Sequence, residues 1–202
     1  APRLAWTKNV GSNIYMSAPV VSEGFVYVAS IDDNETGKAS LTKMEATTGN
    51  IVWKCSLKSS VRNSIAVESD LVFDQDVQGI VYAVKKSDGS IAWQKDLKIG
   101  VTPALNDGLI AKDGIVYAGT GYQLTAFKAT TGEIIWQNKD WGRGEGCVAT
   151  LALSQDNVII GSRHWGGLFG NDAKTGEMLW GDWDSDLRFR AATPAVWGDV
   201  MY

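Results

Sequence analysis

The stretch Ala129-Thr130-Thr131-Gly132-Glu133-Ile134-Ile135-Trp136 decides the fold, because the same pattern occurs four times in the chain. The other copies are Ala46-Thr47-Thr48-Gly49-Asn50-Ile51-Val52-Trp53, Lys86-Ser87-Asp88-Gly89-Ser90-Ile91-Ala92-Trp93 and Ala173-Lys174-Thr175-Gly176-Glu177-Met178-Leu179-Trp180. Their glycines follow one another at intervals of 40, 43 and 44 residues. A period of this length is typical of the blades of a β-propeller.

Each copy divides into four short apolar segments separated by turn residues, which predicts four strands per repeat. In the third copy the predicted strands are Thr102–Ala104 extending to Leu109, Ile115–Ala118, Gln123–Lys128 and Ile134–Gln137. The second strand of the other copies is predicted at Phe25–Ala29, Leu71–Phe73 and Val158–Ile160, and the third at Leu41–Glu45, Val81–Lys85 and Leu168–Asp172. No long window has a sustained 3.6-residue apolar period, so very little helix is expected.

The Gly and the Trp of the repeat have separate predicted roles. Thr-Gly or Asp-Gly closes a tight hairpin, because glycine accepts a positive φ that residues with a Cβ avoid. The Trp four positions later lies on the outermost strand, where a large ring can fill the gap between adjacent blades. Because the period accounts for them, a structural role is predicted for the repeat tryptophans, which are Trp6, Trp53, Trp93, Trp136 and Trp180.

The repeats predict an all-β fold, a β-propeller of four-stranded blades with four complete blades and parts of one more. The predicted blades cover residues 17–56, 61–96, 101–138 and 147–182, and residues 1–8 and 192–202 form a partial blade with strands at Thr193–Val196 and Val200–Tyr202. Two arrangements stay open. The ring closes with five blades if the Trp6 strand joins the last blade, or the chain is an excised part of a 7–8-bladed propeller.

Composition excludes several classes of function. The 202 residues are 45% hydrophobic and 21% charged, with a net charge of −4 and interspersed signs, so nucleic acid is not an expected partner. No segment approaches the ~20 apolar residues needed for a transmembrane helix. The two cysteines, Cys55 and Cys147, lie in apolar strand contexts and are interpreted as buried free thiols rather than as a disulfide.

The motif resembles the Ala-x-Asp-x-x-Thr-Gly-x-x-x-Trp repeat of PQQ-like (pyrroloquinoline-quinone-type) propellers. The residues that carry the resemblance are Ala83, Gly89 and Trp93, then Ala126, Gly132 and Trp136, then Gly170–Gly176 and Trp180, and it covers essentially the whole chain. Lys43 departs from the pattern, because Ala or Gly is usual there. Glu45, Lys85 and Lys128 stand where Asp172 keeps the expected Asp.

The resemblance implies one fold but does not imply one function. The family includes quinone-dependent alcohol and glucose dehydrogenases and also the non-enzymatic lipoprotein of the outer-membrane β-barrel assembly machinery. Such dehydrogenases commonly have an adjacent Cys-Cys pair, which this chain lacks. Residues 141–146, 163–166, 170–172 and 187–190 further resemble propellers fused to calcineurin-like metallophosphoesterases in Bacteroidetes, where the phosphatase chemistry would belong to residues outside this chain.

The unusual residues of the chain are predicted to share one end of the propeller. The connections from second to third strand, and from the outer strand to the next blade, lie at this end, and none of their residues is required by the period. Loops on a rigid scaffold often bind partners, and aromatic and Arg side chains are common anchors. The predicted binding residues are Arg62, Asn63, Asp74, Asp76, Trp141, Arg143, Glu145, Arg163, His164, Trp165, Arg188 and Arg190, with Asn13, Tyr15, Gln75 and Trp183 on the same end.

Simpler interpretations compete at each position. His164, the sole histidine, is more often a hydrogen-bonding loop residue than a base, and Asp74 with Asp76 is more often a turn feature than a metal site. The arginines are as well explained by contacts that join neighbouring blades. The glycines of residues 142–146 do not open a helix, so they do not form a phosphate-binding loop.

Two functions follow as hypotheses. The preferred one is a non-catalytic, extracytoplasmic (periplasmic) binding or scaffold module without a cofactor, whose partner is a protein, an adjacent domain of the parent chain or a small ligand. No set of acid, base and nucleophile is visible in the sequence. The alternative is an oxidoreductase with PQQ and Ca²⁺, in which PQQ stacks on Trp165 and pairs with Arg143 or Arg163.

Overall fold

The computed structural model describes residues 3–99, 108–141, 150–163, 166–183, 186, 193–198 and 200–202. Within these ranges the chain forms four antiparallel sheets of four strands and one pair of strands, and it contains no α-helix. The predicted all-β fold of four-stranded repeats is therefore confirmed. None of the described residues belongs to a helix that is long and apolar enough to cross a membrane.

The first two sheets contain eight strands. They are β1 (Val20–Ser22), β2 (Phe25–Ala29), β3 (Ser40–Glu45) and β4 (Ile51–Ser56), then β5 (Ala66–Glu68), β6 (Leu71–Gln75), β7 (Ile80–Lys85) and β8 (Ile91–Asp96). The third and fourth sheets are built alike. They contain β9 (Leu109–Lys112), β10 (Ile115–Thr120), β11 (Gln123–Lys128) and β12 (Ile134–Asn138), then β13 (Ala152–Leu153), β14 (Val158–Ser162), β15 (Leu168–Asp172) and β16 (Met178–Asp182).

The remaining pair is β17 (Val196–Trp197) and β18 (Val200–Met201). The sequence predicted a longer strand from Thr193, but Pro194 has no backbone N–H to donate, and β17 begins two residues later. The pairing continues only through reciprocal backbone bonds between Ala195 and Tyr202. The strand predicted at Thr102–Ala104 lies outside the described residues.

Every four-stranded sheet follows chain order from its first to its last strand. The hairpins between first and second strands are two-residue turns in the first three sheets. In the first and third sheets both central residues have positive φ, 51° and 80° at Glu23-Gly24 and 53° and 79° at Asp113-Gly114. This geometry is a type I′ turn, which matches the twist of the flanking strands.

Four of the repeat tryptophans, Trp6, Trp53, Trp93 and Trp136, each lie on the next repeat Gly along the chain. The indole Nε1 atoms donate to the carbonyl three residues before that Gly: Trp6 to Ala46 (2.9 Å), Trp53 to Lys86 (3.0 Å), Trp93 to Ala129 (2.8 Å) and Trp136 to Ala173 (3.1 Å). A Cβ added to Gly132 would lie 2.6 Å from the Trp93 ring, and one added to Gly49 would lie 2.6 Å from Trp6. The predicted structural role of these four tryptophans is thus explained by one contact, made four times.

A β-bulge on each outer strand aims the Trp between the sheets. In the first sheet Trp53 pairs with Lys43, but Ile51 pairs with the next residue, Met44, so Val52 is the extra residue. Residues two apart in a regular strand share a face. The bulge instead puts Ile51 and Trp53 on opposite faces, so that Trp53 is buried while Ile51 is exposed. The same register shift occurs in the other three sheets.

The core consists of successive apolar layers between neighbouring sheets. One layer lies between the first and second sheets around Tyr27, Trp53 and Tyr82. The next lies around Phe73, Trp93 and Phe127, and a third around Tyr117, Trp141 and Phe169. Residues 3–19 contain no strand, and β17 and β18 pair with each other alone among the described strands. The strand pairing expected of a closed five-bladed ring is therefore not found in this part of the chain.

Candidate functional site

The two ends of the sheets differ in their connections. We call the end with the second-to-third-strand connections and the connections between sheets the loop face. Its described connections include residues 30–39, 57–65, 76–79, 121–122, 163 and 166–167. The opposite end has the short hairpins of the Glu23-Gly24 type and the Thr-Gly and Asp-Gly hairpins that receive the tryptophans.

An ion pair joins the first two sheets on the loop face. The Arg62 Nη2 atom lies 2.6 Å from the Asp33 Oδ2 atom, and the Ser60 hydroxyl donates to Asp33 Oδ1 at 2.7 Å. These bonds, that from Arg62 first, lower the pKa of the Asp33 carboxyl below its usual value. The Arg62 guanidinium carbon also lies 5.8 Å from the centre of the Tyr15 ring. Arg62 is thus held between a carboxylate and an aromatic ring.

The segment that precedes the first sheet is tied to the same place. The Ile31 N–H donates to the Asn13 carbonyl at 2.8 Å, and the Ser12 hydroxyl donates to the Ile31 carbonyl. Three consecutive large side chains, Ile14, Tyr15 and Met16, are 45%, 51% and 47% exposed. Met16 has a φ of 61°, which is uncommon for a residue with a side chain. The exposed Ile14, Tyr15 and Met16 therefore form a projection beside Arg62, anchored by one backbone bond and one bond from the Ser12 side chain.

Of the predicted residues of the second sheet, Asn63, Asp74 and Asp76 are buried. Asp76 accepts bonds from the Gln78 and Ile80 N–H groups at 3.0 Å each and from the Tyr82 hydroxyl at 2.8 Å, so it shapes the β6–β7 turn. The Asn63 Nδ2 atom donates to the Gln75 carbonyl at 2.9 Å. In this conformation these three side chains support the loop face from within and are not exposed to a partner.

Asp74 is the most deeply buried acidic side chain of this group. In the register of the sheets it occupies the position of Val28, Ala118 and Gly161. The Gln75 N–H donates to its Oδ1 at 2.8 Å, whereas its Oδ2 has no hydrogen-bond partner. Burial, and to a lesser degree the nearby Asp76, raises the pKa of Asp74 well above its usual value. Burial likewise raises the pKa of Cys55, a free thiol, with Asp74 adding to the effect.

A second cluster lies at the loop face of the fourth sheet. The Trp183 ring stacks on Phe169 with 5.7 Å between the ring centres and 16° between the planes, and Trp141 makes a T-shaped contact with Phe169 at 5.6 Å and 82°. The Arg163 guanidinium carbon lies 5.0 Å from the Trp183 ring centre. A Cβ at Gly119 would lie 2.4 Å from Trp141, so this predicted binding residue is a core side chain. Arg163 and the half-buried Trp183 form the accessible end of the aromatic series.

Six of the predicted binding residues lie outside the described residues: Arg143, Glu145, His164, Trp165, Arg188 and Arg190. The structure adds two residues to the candidate site, Asp33 and Ser60, that were not predicted from the sequence. No local pattern links Asp33 to Arg62, because they are 29 residues apart and both are in loops. The available signal was the acidic Asp32-Asp33 pair that follows a buried strand.

The residues expected to hold a quinone and Ca²⁺ are described only in part. Among the described residues no three His, Cys, Asp or Glu side chains come together as ligands for a metal such as Ca²⁺. Arg163, one of the two expected quinone partners, faces Trp183. The expected Trp165 and Arg143 lie outside the described residues.

Comparison with known sequences shows one family. A family model described as outer membrane protein assembly factor BamB matches residues 3–140. The chain is 28% identical over 180 residues to the protein of that name from Burkholderia pseudomallei, and 25% identical over 174 residues to that from Legionella pneumophila. These matches cover 87% and 81% of this chain but only 44% and 42% of the two relatives. The chain thus spans less than half the length of these relatives.

Comparison with solved structures shows the same fold. BamB from Moraxella catarrhalis matches 98% of this chain and 70% of its own, with a TM-score of 0.62 and 19% identity. Quinohemoprotein alcohol dehydrogenase from Comamonas testosteroni matches 91% of this chain and 37% of its own, with a TM-score of 0.73 and 17% identity. A computationally designed protein, Ika8, has the same TM-score at 15% identity, over 91% of this chain and 53% of its own. At such identities the likeness shows the fold alone.

Proposed function

The chain belongs to the PQQ-like repeat family described as outer membrane protein assembly factor BamB, and from this premise we propose that it is a non-catalytic scaffold that binds a protein partner through its loop face. The observation that carries the proposal is the projection of Ile14, Tyr15 and Met16 beside the Arg62–Asp33 ion pair. Tyr and Arg are enriched among the residues that dominate binding energy, and Met is common at interfaces.

The anchoring of the projection favours binding. The Ile31 N–H donates to the Asn13 carbonyl, the Ser12 hydroxyl donates to the Ile31 carbonyl, and Arg62, paired with Asp33, lies beside the Tyr15 ring. Preorganised contacts lose less side-chain and loop entropy on association. Arg163 and Trp183 supply a second aromatic and cationic pair on the same end of the sheets. At the opposite end, the repeat glycines Gly49, Gly89, Gly132 and Gly176 are already covered by tryptophans.

The family name suggests the context of this binding. We infer an extracytoplasmic location and a partner among proteins of outer membrane protein assembly. A finer proposal is that the partner surface is an adjacent domain of the same polypeptide, such as a metallophosphoesterase, as the loop sequences of residues 141–146 and 187–190 suggest. The reading frame that encodes the chain tests this finer proposal directly, since it either contains a metal-binding phosphoesterase domain or does not.

Site-specific photocrosslinking tests the face that binds. A photoreactive amino acid replaces Tyr15 or Tyr122, which are exposed on the loop face, or Lys174, which is exposed on the opposite end. The chain is then irradiated in a cell-envelope extract of the source organism. We expect Tyr15 and Tyr122 to yield an adduct with one and the same protein and Lys174 to yield none. An equal adduct from Lys174, or none from Tyr15, would contradict the proposal.

The absence of catalysis is a separate prediction. Because the family model and the relatives in sequence are described as an assembly factor rather than a quinoprotein, we expect added PQQ with Ca²⁺ to leave the unfolding temperature unchanged and to support no turnover of a dye-linked alcohol or sugar. Thermal stabilisation together with turnover would show instead that the chain is a quinoprotein dehydrogenase.

A further inference from the structure

We propose that a cavity between the third and fourth sheets binds a primary alkylammonium ion with a chain of about four carbon atoms, the length of a lysine side chain. The cavity lies at the end opposite the loop face, and the proposed ligand is a small molecule. The inference therefore does not depend on the proposed partner of the loop face. It rests on a comparison of two interfaces between sheets, one of which contains a buried lysine.

The interface between the first and second sheets contains that lysine. Lys43 is 6% exposed, and its Nζ atom donates to the Lys86 carbonyl at 2.7 Å. The same atom lies 3.9 Å from the centre of the Phe25 ring and 5.9 Å from that of Tyr27. The Lys86 carbonyl also accepts the Trp53 Nε1 proton at 3.0 Å. The folded chain thus already holds one primary ammonium group between two sheets, by a carbonyl and aromatic rings.

The interface between the third and fourth sheets has the same arrangement without the lysine. Lys43 pairs with a Tyr on the second strand and with the repeat Trp on the fourth. In the third sheet the residue that pairs with both Tyr117 and Trp136 is Ala126. The ring centres of the two Tyr-Trp pairs are 6.1 Å apart in each sheet, and Trp136 Nε1 donates to the Ala173 carbonyl at 3.1 Å. The third sheet therefore keeps a ring and the carbonyl but has no ammonium group at this position.

A cavity of about 150 Å³ lies at the matching place. Its walls include Ile115, Tyr117 and Ala173, which are the counterparts of the three residues that Lys43 contacts. Ala126 and Ala173 stand where the first interface has two lysines, which explains the space. One water molecule needs only ~15 Å³, so the cavity has room for a short aliphatic chain.

The charges around the cavity favour a cation. Asp113 lines the cavity. Burial, and then the nearby Asp113 and Asp172 charges, raise the pKa of Tyr117, so two carboxylates act on this place. Lys112 and Lys174 also line the cavity, but both are exposed, and solvent and salt screen their charges. A cation that enters the cavity leaves the solvent and approaches the two carboxylates.

The lining groups specify the chemistry of the ligand. A carbonyl oxygen has two lone pairs, so the Ala173 carbonyl can accept a bond from an ammonium group as well as the bond from Trp136. The Tyr117 ring offers a face that attracts a cation. Ile115 and Leu153 provide apolar contacts for the chain of the ligand. An alcohol of the same length fits the same space but lacks the charge that the carboxylates attract.

Titration of the full chain with n-butylamine and with 1-butanol, followed by amide NMR shifts at neutral pH, provides the test, since the amine is then protonated. Two variants fill the cavity. Ala126→Lys supplies the ammonium group that the first sheet has, and Ala126→Leu fills the space without a charge if a buried lysine prevents folding. Tyr122→Lys is the matched control, because it adds the same charge at an exposed position of the loop face.

We expect saturable binding of butylamine that shifts the Ala173 and Lys174 amides, and binding of butanol that is weaker by at least about tenfold. Each Ala126 variant should weaken butylamine binding at least about tenfold, and Tyr122→Lys should change it within about twofold.

The proposal is overturned if butylamine does not bind the wild-type chain, if butanol binds as tightly, or if the shifted amides lie elsewhere. Undiminished binding to a folded Ala126 variant would also overturn it. Nα-acetyl-lysine amide serves as a further probe, and tighter binding of this probe than of butylamine would assign the cavity to a lysine of a protein rather than to a small amine.

Discussion

At the scale of the residue, the repeat glycine meets two requirements at once. Gly132 has a φ of 68°, and its α-carbon lies so close to Trp93 that a Cβ would stand 2.6 Å from the ring. Gly114, in the same sheet, has a φ of 79° but nothing within 4 Å of an added Cβ. Substitutions at Gly114 and Gly132 therefore separate the cost of the left-handed backbone conformation from the cost of a collision with the tryptophan.

We expect Gly114→Ala to lower the free energy of unfolding by ~1 kcal/mol, which is the cost of a left-handed conformation alone. Gly132→Ala should lower it by ~3 kcal/mol or more, because the collision with Trp93 is added to that cost. Urea denaturation of both variants measures the difference. Equal losses of unfolding free energy in the two variants would show that the conformation of the turn, and not contact with Trp93, requires the glycine at position 132.

For Asp74 we predict the opposite effect, since a substitution there should raise the free energy of unfolding. Its raised pKa means that the folded chain favours the neutral carboxyl, so stability falls as the pH rises above the unfolded value of about 4 and through the folded pKa. Asp74→Asn keeps the acceptor for the Gln75 N–H and removes the charge. We expect it to be more stable than the wild type by at least ~1 kcal/mol at pH 8, with a smaller gain at pH 5.

A matched control distinguishes burial from a general effect of charge. The pKa of Asp88 is lowered, mainly because the Ser90 N–H donates to its carboxylate. Its stabilising contribution is present above the unfolded pKa and is lost as the pH falls, so Asp88→Asn should reduce stability at neutral pH. If the stability of Asp74→Asn relative to the wild type instead fell as the pH rises, the cost of burying the charged Asp74 carboxylate would not be the dominant effect of the substitution.

At the scale of the element, contacts between neighbouring sheets decide how the strands are held. Lys43 shows how a departure from the repeat is accommodated. Its Nζ atom donates to the Lys86 carbonyl at 2.7 Å and lies 3.9 Å from the centre of the Phe25 ring. Burial, with the nearby Lys86 charge, lowers the pKa of Lys43. The lysine therefore joins β3 to the β7–β8 hairpin of the next sheet.

Two substitutions of Lys43 test whether its chain or its charge matters more. Lys43→Met keeps the aliphatic chain, and the Lys86 carbonyl keeps its bond from Trp53, so we expect a change within about 1 kcal/mol. Lys43→Ala restores a residue that other repeats have but leaves a cavity, and it should cost ~2 kcal/mol. Chemical denaturation of the two variants measures this, and a larger loss for Met than for Ala would show that the ammonium bond dominates.

The sequence predicts elements better than it predicts contacts between them. Period and turn residues placed most strands to within two residues, because Gly, Thr and alternating apolar residues act locally. They did not show that Trp93 covers Gly132 rather than its own Gly89, since that contact joins residues in different repeats. They also did not reveal the bulge that turns Trp53 inward, because it depends on the register between two strands.

The same limit applies to the candidate site. Arg62 and Arg163 were identified because no repeat requires them, and both have aromatic neighbours at the loop face. Trp141 was predicted on the same grounds, yet it is buried against Phe169 and Gly119. Departure from a period cannot distinguish a side chain that fills the core from one that meets a partner. Only the packing of neighbouring sheets makes that distinction.

At the scale of the whole molecule, the two ends of the sheets have different tasks. The opposite end contains the hairpins on which four of the repeat tryptophans dock, and apolar layers between the sheets add to these contacts, as expected of a repeat protein stabilised by nearest-neighbour interfaces. The loop face contains ion pairs and exposed apolar side chains that the repeat does not require. Substitutions at the loop face should therefore affect binding more than stability.

The affinity of the partner captured at Tyr15 tests this division most directly. It is measured with the wild-type chain and with Arg62→Ala, Arg163→Ala and, as the control, Lys128→Ala, whose side chain is 54% exposed on the third sheet. We predict losses of about tenfold or more for the two loop-face arginines and a change within about twofold for Lys128, with unfolding free energies within about 1 kcal/mol of the wild type. Unchanged affinity in both arginine variants would contradict the assignment of the loop face as the binding surface.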